Sequence, residues 1–207
     1  MIALAAVLVA AAPAPAKASV AGLYQTHQME IGAALWLRKN GHFRYQFDYG
    51  AISESAEGDW TYDGKVVRLT TKPAPKPPSF ELVSDDPAPK GELYMTVDSP
   101  GMEWGHPLEA IASQDMKSGF EISADDSGRV DLKDKPTVAA LSPEMPVYGP
   151  TGQVFPLTAD RGHRLLFRFH SNDLGKAMFK DEPLTRDGHD LILLHYDAKI
   201  RFIRVRP

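Results

Sequence analysis

The hydrophobic and polar residues of this chain alternate most clearly after the Asn40-Gly41 pair. In residues 42–49 every second side chain is polar. A period of two separates two faces of a β-strand, whereas a helix would mix the two sets of side chains. The other face of that strand is aromatic: Phe43, Tyr45, Phe47 and Tyr49. Asn-Gly between two apolar runs is a strong hairpin signal, so the sequence predicts a hairpin over residues 33–49.

The same pattern continues on both sides of this hairpin. Residues 58–62 and 65–70 flank Asp63-Gly64, which predicts a second two-residue turn, and residues 22–31 form a further candidate strand. The first part of the chain is therefore expected to hold at least five consecutive antiparallel strands. A meander with an aromatic face must cover that face, so we expect it to curl into a half-barrel or barrel.

Two proline-rich breaks follow the meander, at residues 72–78 and 85–89, and prolines cannot donate hydrogen bonds to a sheet. We expect the domain boundary near Asp86. Beyond it, short candidate strands with turn signals predict a β-sandwich. They are residues 92–98, 120–123, 129–132, 153–157, 164–170, 190–196 and 200–205. No segment holds a helical period, so the predicted fold class is all-β.

The first residues are typical of an export signal. Residues 2–12 are uncharged and apolar and lead into small residues suited to cleavage, and the run is too short for a durable membrane anchor. We therefore expect a signal peptide over residues 1–18, a meander or half-barrel over 19–85 and a sandwich over 86–207. The chain has no cysteine, so no disulfide can stabilise the fold. The expected location is periplasmic or secreted, with no membrane span in the mature chain.

Charge and motifs exclude several functions. The formal net charge of −4 does not suit a nucleic-acid-binding protein, which collects phosphates with a basic surface. The chain contains no Gly-x-Ser-x-Gly elbow, His-Glu-x-x-His pair, phosphate-binding loop or dinucleotide fingerprint. The sequence therefore predicts no cofactor and no metal site, although an active site dispersed along the chain remains open.

Two groups of motifs resemble known β-families. Gly22-Leu23-Tyr24, the turn at residues 40–43 and Gly58-Asp59-Trp60 look like the first strands of lipocalin-like secreted bacterial domains. Residues 93–97, 105–110 and 123–130 resemble the carboxypeptidase-regulatory-like, or transthyretin-like, β-sandwich, in which a strand, a bend and an Asp-x-x-Gly-Arg hairpin recur. These resemblances imply a barrel-like first part, a sandwich-like second part and a place outside the cytoplasm. They carry over no catalytic residue.

The aromatic residues are the main candidates for a ligand site. They either fill a core or line the wall of a cup, since Tyr and Trp combine an apolar body with a polar tip. The candidate ligand-binding residues are Tyr45, Tyr49, Trp60 and Tyr62.

A second candidate site is basic. Adjacent strands could group guanidinium groups that suit a carboxylate or phosphate. The candidate anion-binding residues are Arg164, Arg168, Arg201 and Arg204, although the pattern favours exposed charges on the outside of a sandwich. We interpret Glu54, Glu57 and Asp59 as a solvated turn. The histidines, including His170 and His195, lack the spacing of a closed metal site.

These observations favour an exported, non-catalytic binding or accessory protein. Its expected partner is a small apolar or aromatic ligand or an envelope protein, with no role for nucleic acid. Two alternatives stay open: a hydrolase with a dispersed active site, and a structural protein of the envelope. Whether the chain is an enzyme is undecided, and the missing motifs favour a protein that is not one.

Overall fold

The described residues form an all-β protein. A computed structural model describes residues 20–115, 117–196 and 198–206 of the chain. Their regular elements are strands, and within them no helix is long and apolar enough to cross a lipid bilayer. The predicted signal peptide over residues 1–18 lies outside the described residues. The all-β prediction is confirmed.

The strands fall into three consecutive groups along the chain. The first group is β1 (Gly22–Gln25), β2 (Ile31–Leu37), β3 (His42–Tyr49), β4 (Ile52–Tyr62) and β5 (Val66–Thr71). The second is β6 (Ser79–Ala88), β7 (Leu93–Asp98), β8 (Glu109–Ser113), β9 (Gly119–Ser123), β10 (Ala140–Met145), β11 (Gly149–Pro150), β12 (Phe155–Pro156) and β13 (Gly162–His170). The third is β14 (Glu182–Asp187), β15 (Asp190–His195) and β16 (Ala198–Arg204).

The chain divides into two compact units. Residues 1–75 and 176–207 make one, which we call the barrel unit, and residues 76–175 make the other, the inserted unit. The sequence predicts a single boundary near Asp86 instead. The structure differs because the barrel unit is built from both ends of the chain, with the inserted unit between β5 and β14.

The first and third groups of strands form a closed antiparallel barrel of eight strands, in the order β1-β16-β15-β14-β5-β4-β3-β2. The predicted hairpins are confirmed: Leu35 pairs with Tyr45 across β2 and β3, and Trp60 pairs with Leu69 across β4 and β5. The ring closes where Tyr24 of β1 pairs with Arg204 of β16.

Side chains point alternately into and out of the barrel along each strand, and the inward ones fill its interior. Phe43, Tyr45 and Phe47 of β3 face inward and are almost fully buried, while their polar neighbours face solvent. Trp60 of β4 and Phe202 of β16 join the same core. An eight-stranded barrel is about as wide as its side chains can fill, so these residues form a packed interior.

The strands that close the barrel are those that the sequence assigns to a second domain. A five-stranded meander leaves two edges of unpaired backbone groups, and edges of this kind must be covered or paired. Here β14 pairs with β5 and β16 pairs with β1, so both edges disappear. A domain over residues 19–85 would lack these three strands.

The inserted unit is a β-sandwich of two sheets. One sheet has the order β6-β13-β7, and the other has the order β11-β10-β8-β9 with β12 also paired to β10. Inward residues of both sheets, among them Phe80, Phe167 and Leu141, share one core. One strand pair differs from the predicted antiparallel sandwich, because β13 and β7 run parallel.

Strand β6 explains why the predicted boundary fails. It runs through the second proline-rich break, and its Asp86 and Pro87 pair with Arg164 and His163 of β13. Proline is tolerated at this place because β6 is the edge of its sheet, where a missing N–H faces no neighbouring strand.

The two ends of the inserted unit lie side by side. The backbone N–H of Lys76 donates to Asp173 Oδ2 over 2.8 Å, and the N–H of Asp173 donates to the Lys76 carbonyl over 3.1 Å. The barrel unit likewise brings Thr71 against Ala177, whose carbonyl accepts from Thr71 Oγ1 over 2.9 Å. Adjacent ends are typical of inserted domains.

We predict that the barrel unit folds without the inserted unit. A variant with residues 76–175 replaced by a short Gly/Ser linker should keep the β-sheet circular dichroism spectrum and unfold in one cooperative transition, because all eight barrel strands remain. Loss of the cooperative transition would contradict this prediction.

We predict that Gly58→Ala in β4 destabilises the protein. A Cβ at this position would lie 2.1 Å from the Thr70 carbonyl oxygen and 2.7 Å from the Lys72 backbone nitrogen, so the backbone must shift. We expect the free energy of unfolding to fall by about 3 kcal/mol in urea denaturation.

Gly32→Ala in β2 is the matched control, since its Cβ would only reach ordinary contact with Asp48 at 3.7 Å. This variant should stay within about 0.5 kcal/mol of the wild type. Equal stability of the two variants would show that the close approach at Gly58 is unimportant.

Candidate functional site

A polar cluster lies inside one end of the barrel. Glu54 is the third residue of β4 and points inward, with only 8% of its surface exposed. His195 is the last residue of β15, and Tyr196 follows it in the turn to β16. Because β3 ends and β4 begins at the same end of the barrel, Tyr45 and Phe47 of β3 reach this cluster as well.

Both oxygens of the Glu54 carboxylate accept a hydrogen bond. His195 Nε2 lies 2.9 Å from Oε2, and the Tyr196 hydroxyl donates to Oε1. Burial acts to raise the pKa of Glu54, but these two hydrogen bonds and the charge of His195 outweigh it and leave that pKa below its ordinary value of 4.5. The barrel therefore holds an ionised carboxylate among apolar side chains.

Four aromatic rings surround the His195 imidazole. The ring centres of Tyr196, Phe47, Phe179 and Tyr45 lie 4.3, 5.8, 6.0 and 6.3 Å from the imidazole centre. Phe47, Phe179 and Tyr45 meet the imidazole edge to face, the geometry in which ring quadrupoles attract. The pair of Glu54 and His195 is thus enclosed by rings.

The Tyr45 hydroxyl is buried, and no hydrogen-bond partner reaches it from the described residues. Only 3% of this residue is exposed, and its ring stacks on Phe47 and meets Phe179 at 5.0 Å. Burial raises the pKa of the Tyr45 hydroxyl far above its usual range, and the charges of Glu54 and Tyr196 raise it further. The hydroxyl therefore stays protonated and is able both to donate and to accept.

The other predicted aromatic residues are spread over the barrel. Trp60 is buried near the opposite end, where its Nε1 donates to the Arg38 carbonyl over 2.9 Å. Tyr62 is partly buried and donates to the Gly64 carbonyl over 2.6 Å. Tyr49 is 46% exposed beyond the inward part of β3. The structure thus brings only Tyr45 into the polar cluster, and the four residues do not form one wall.

The four predicted anion-binding arginines divide between the two units. Arg164 and Arg168 lie on β13 of the inserted unit, whereas Arg201 and Arg204 lie on β16 of the barrel. The structure therefore does not group them within one unit, and anion binding by these residues stays a prediction.

Each of these arginines has an interaction inside its own unit. The Arg164 guanidinium sits 3.7 Å from the ring centre of Tyr94, and Arg168 Nε donates to Asp98 over 3.0 Å. On β16, the Arg201 guanidinium pairs with the carboxylates of Asp187 and Asp190. The Arg204 guanidinium donates to the Ala21 carbonyl.

Metal ligation finds no support in the described ranges. Among them, no three His, Cys, Asp or Glu side chains are grouped closely enough to hold an ion. His170 pairs with Glu81 in the inserted unit, and His195 pairs with Glu54 in the barrel unit.

Sequence reasoning missed Glu54. The sequence predicts that Glu54, Glu57 and Asp59 form a solvated turn. The turn is wrong, because all three residues lie within β4, and solvation is wrong for Glu54, which is buried. The signal was the period of two along β4, which puts residue 54 in phase with Ala56 and Trp60, on the inward face. A charged residue in that register indicates a partnered carboxylate inside a core.

No family model, curated protein or solved structure matches this chain. The closed antiparallel barrel is compatible with the lipocalin-like resemblance at the level of architecture. The transthyretin-like resemblance of the second part gains no support from these comparisons and rests on the sequence motifs alone.

We predict that Glu54 makes the stability of the protein depend on pH. Its pKa is lowered on folding, so its contribution is fully present above about pH 4.5 and is lost as the pH falls through the folded-state value. Glu54→Gln should therefore lower the free energy of unfolding at pH 7 by about 1–3 kcal/mol and flatten its decline in acid.

Glu57→Gln on the same strand is the control, because the Glu57 side chain is 66% exposed and meets Arg44 at 3.7 Å. Its denaturation curves between pH 3 and pH 7 should follow the wild type. If the Glu54 and Glu57 variants behave alike, the buried carboxylate makes no special contribution.

Proposed function

We propose that the protein is an exported, non-catalytic binding protein. In this proposal, the end of the barrel around Tyr45 and Glu54 takes a small apolar or aromatic ligand with one hydrogen-bonding group. The observation that carries the proposal is the Tyr45 hydroxyl, which is buried among aromatic rings and has no hydrogen-bond partner in the part of the chain that the structure describes.

Energetics favour a ligand at this hydroxyl. A buried polar group without a partner costs about 1–3 kcal/mol, so such groups in folded proteins call for an explanation. A ligand that pairs with Tyr45 would recover that free energy and would gain apolar contact with Phe47 and Phe179. Binding sites of this kind combine apolar walls with a few converging polar groups and residues of shifted pKa, here Tyr45 and Glu54.

Tyr196, directly after β15, forms part of the proposed site. It has a positive φ of 49°, which is uncommon for a residue with a bulky side chain and costs about 1 kcal/mol or more. Its hydroxyl is held by Glu54, yet half of the residue is exposed, so the site borders on solvent at this residue.

Apolar side chains surround this end of the barrel. The exposed ones in this region are Met29, Tyr49, Leu194 and Tyr196. Scattered exposed apolar residues are normal, but several around one opening suit the approach of an apolar molecule.

The same cluster supports binding over hydrolysis. A general base must face its substrate within hydrogen-bond distance, whereas both oxygens of Glu54 already accept from His195 and Tyr196. Export rests on the apolar run at residues 2–12, and the proposed location is the periplasm or the outside of the cell.

We predict that the wild type prefers an aromatic alcohol to a hydrocarbon of the same size. Benzyl alcohol should bind about tenfold more tightly than ethylbenzene, because only the alcohol pairs with the Tyr45 hydroxyl. In Tyr45→Phe this preference should disappear, while the free protein should become more stable because an unpaired hydroxyl has been removed. Fluorescence titration and thermal melting measure the two effects.

Tyr49→Phe is the matched control, since it removes a hydroxyl from an exposed ring. It should keep both the preference for the alcohol and the stability of the wild type. If neither compound binds the wild type, or if Tyr45→Phe keeps the preference, the ligand site is not at Tyr45.

A further inference from the structure

The inserted unit contains a cavity of about 290 Å³ that is separate from the barrel cluster. It lies between the start of β7, residues 132–138 and residues 157–163. Its apolar lining includes Leu93, which is buried, and three partly buried side chains, Leu132, Val138 and Leu157. The volume is near the lower end of typical small-molecule sites.

Basic side chains line the same cavity. Lys90 and Lys135 are exposed at its rim, with the Lys135 ammonium 5.9 Å from the Phe120 ring centre. Arg161 and the nearly buried His163 belong to its wall. Glu92 also lines the cavity, but it accepts from the Tyr94 hydroxyl over 2.9 Å and lies 3.9 Å from Arg129. The cavity wall therefore carries more positive than negative charge.

Arg161 and His163 share a single carboxylate. Arg161 makes a two-pronged pair with Asp85, with Nη1–Oδ1 and Nη2–Oδ2 distances of 3.0 and 2.7 Å. His163 Nδ1 lies 2.9 Å from the same Oδ1. Such two-pronged pairs are among the strongest and most fixed hydrogen-bonded contacts in proteins.

Both ring nitrogens of His163 are occupied by partners within the inserted unit. Nδ1 lies against Asp85, and Nε2 lies 2.8 Å from the Thr158 carbonyl oxygen. The ring is 5% exposed and shares Asp85 with the Arg161 guanidinium.

The cavity wall combines basic groups with apolar side chains. Arg161 is paired with Asp85, whereas Lys90 and Lys135 are exposed. An anionic group in the cavity would lie close to these two lysines.

We propose that this cavity binds a small carboxylate with an apolar chain. The carboxylate lies toward Lys90, Lys135 and Arg161, and the chain contacts Leu93, Val138 and Leu157. Both halves of the lining are needed, since the cations alone would suit any anion and the leucines and valine alone would suit a neutral hydrocarbon. This site is independent of the function proposed for the barrel.

The test uses the full chain and calorimetric titration with three probes. Sodium octanoate should bind at least about tenfold more tightly than octan-1-ol, which lacks the charge, and than sodium acetate, which lacks the chain. If octanol or acetate binds as tightly as octanoate, the proposal is overturned.

Substitutions then locate the site. Lys90→Gln combined with Lys135→Gln should weaken octanoate binding by about three- to tenfold, as expected for two exposed charges. Lys65→Gln combined with Lys117→Gln removes the same charge from exposed turns and should leave the affinity unchanged. An unchanged affinity in the first pair, or an equal loss in both, contradicts the proposal.

A further pair of variants separates this site from the barrel. Val138→Thr keeps the shape of the side chain but adds a hydroxyl to the cavity wall, so it should weaken octanoate without affecting acetate. Tyr45→Phe should leave octanoate binding unchanged. Loss of octanoate binding in Tyr45→Phe would place the carboxylate in the barrel and overturn the assignment to this cavity.

Discussion

Closure of the barrel is the constraint on which the rest of this protein depends. Backbone N–H and C=O groups at a sheet edge need partners, and the five strands at the start of the chain have two such edges. Pairing of β1 with β16 and of β5 with β14 satisfies both. The closing strands come from the end of the chain, and so the region between them forms a unit of its own, whose ends meet at Lys76 and Asp173.

The closed barrel makes an inward carboxylate possible. Glu54 lies in register with apolar residues of β4, where a lone charge would be strongly unfavourable. It is tolerated because the last turn of the barrel brings the His195 ring and the Tyr196 hydroxyl to its two oxygens. These partners satisfy Glu54 but not Tyr45, so the Tyr45 hydroxyl has no partner among the residues that the structure describes. The ligand proposed for the barrel rests on this hydroxyl.

The inserted unit groups basic side chains instead. There one carboxylate, Asp85, pairs with both Arg161 and His163, and the second imidazole nitrogen lies against the Thr158 carbonyl. Lys90 and Lys135 are the exposed basic residues of the cavity lining. The two candidate sites therefore differ in chemistry: the barrel site centres on a buried hydroxyl, and the cavity combines apolar side chains with exposed positive charge.

The sequence by itself determined the strands and hairpins, because alternation and turn chemistry are local: residues 42–49 and the turns at Gly41 and Gly64 needed no distant information. The period of two along β4 also contained the inward register of Glu54. Only the tertiary structure decided that the last three strands close the first domain, because strand pairing across more than 100 residues leaves no local pattern. It alone decided the partners of Glu54 and His163 and the rings that surround Tyr45, since those contacts depend on which strand ends meet.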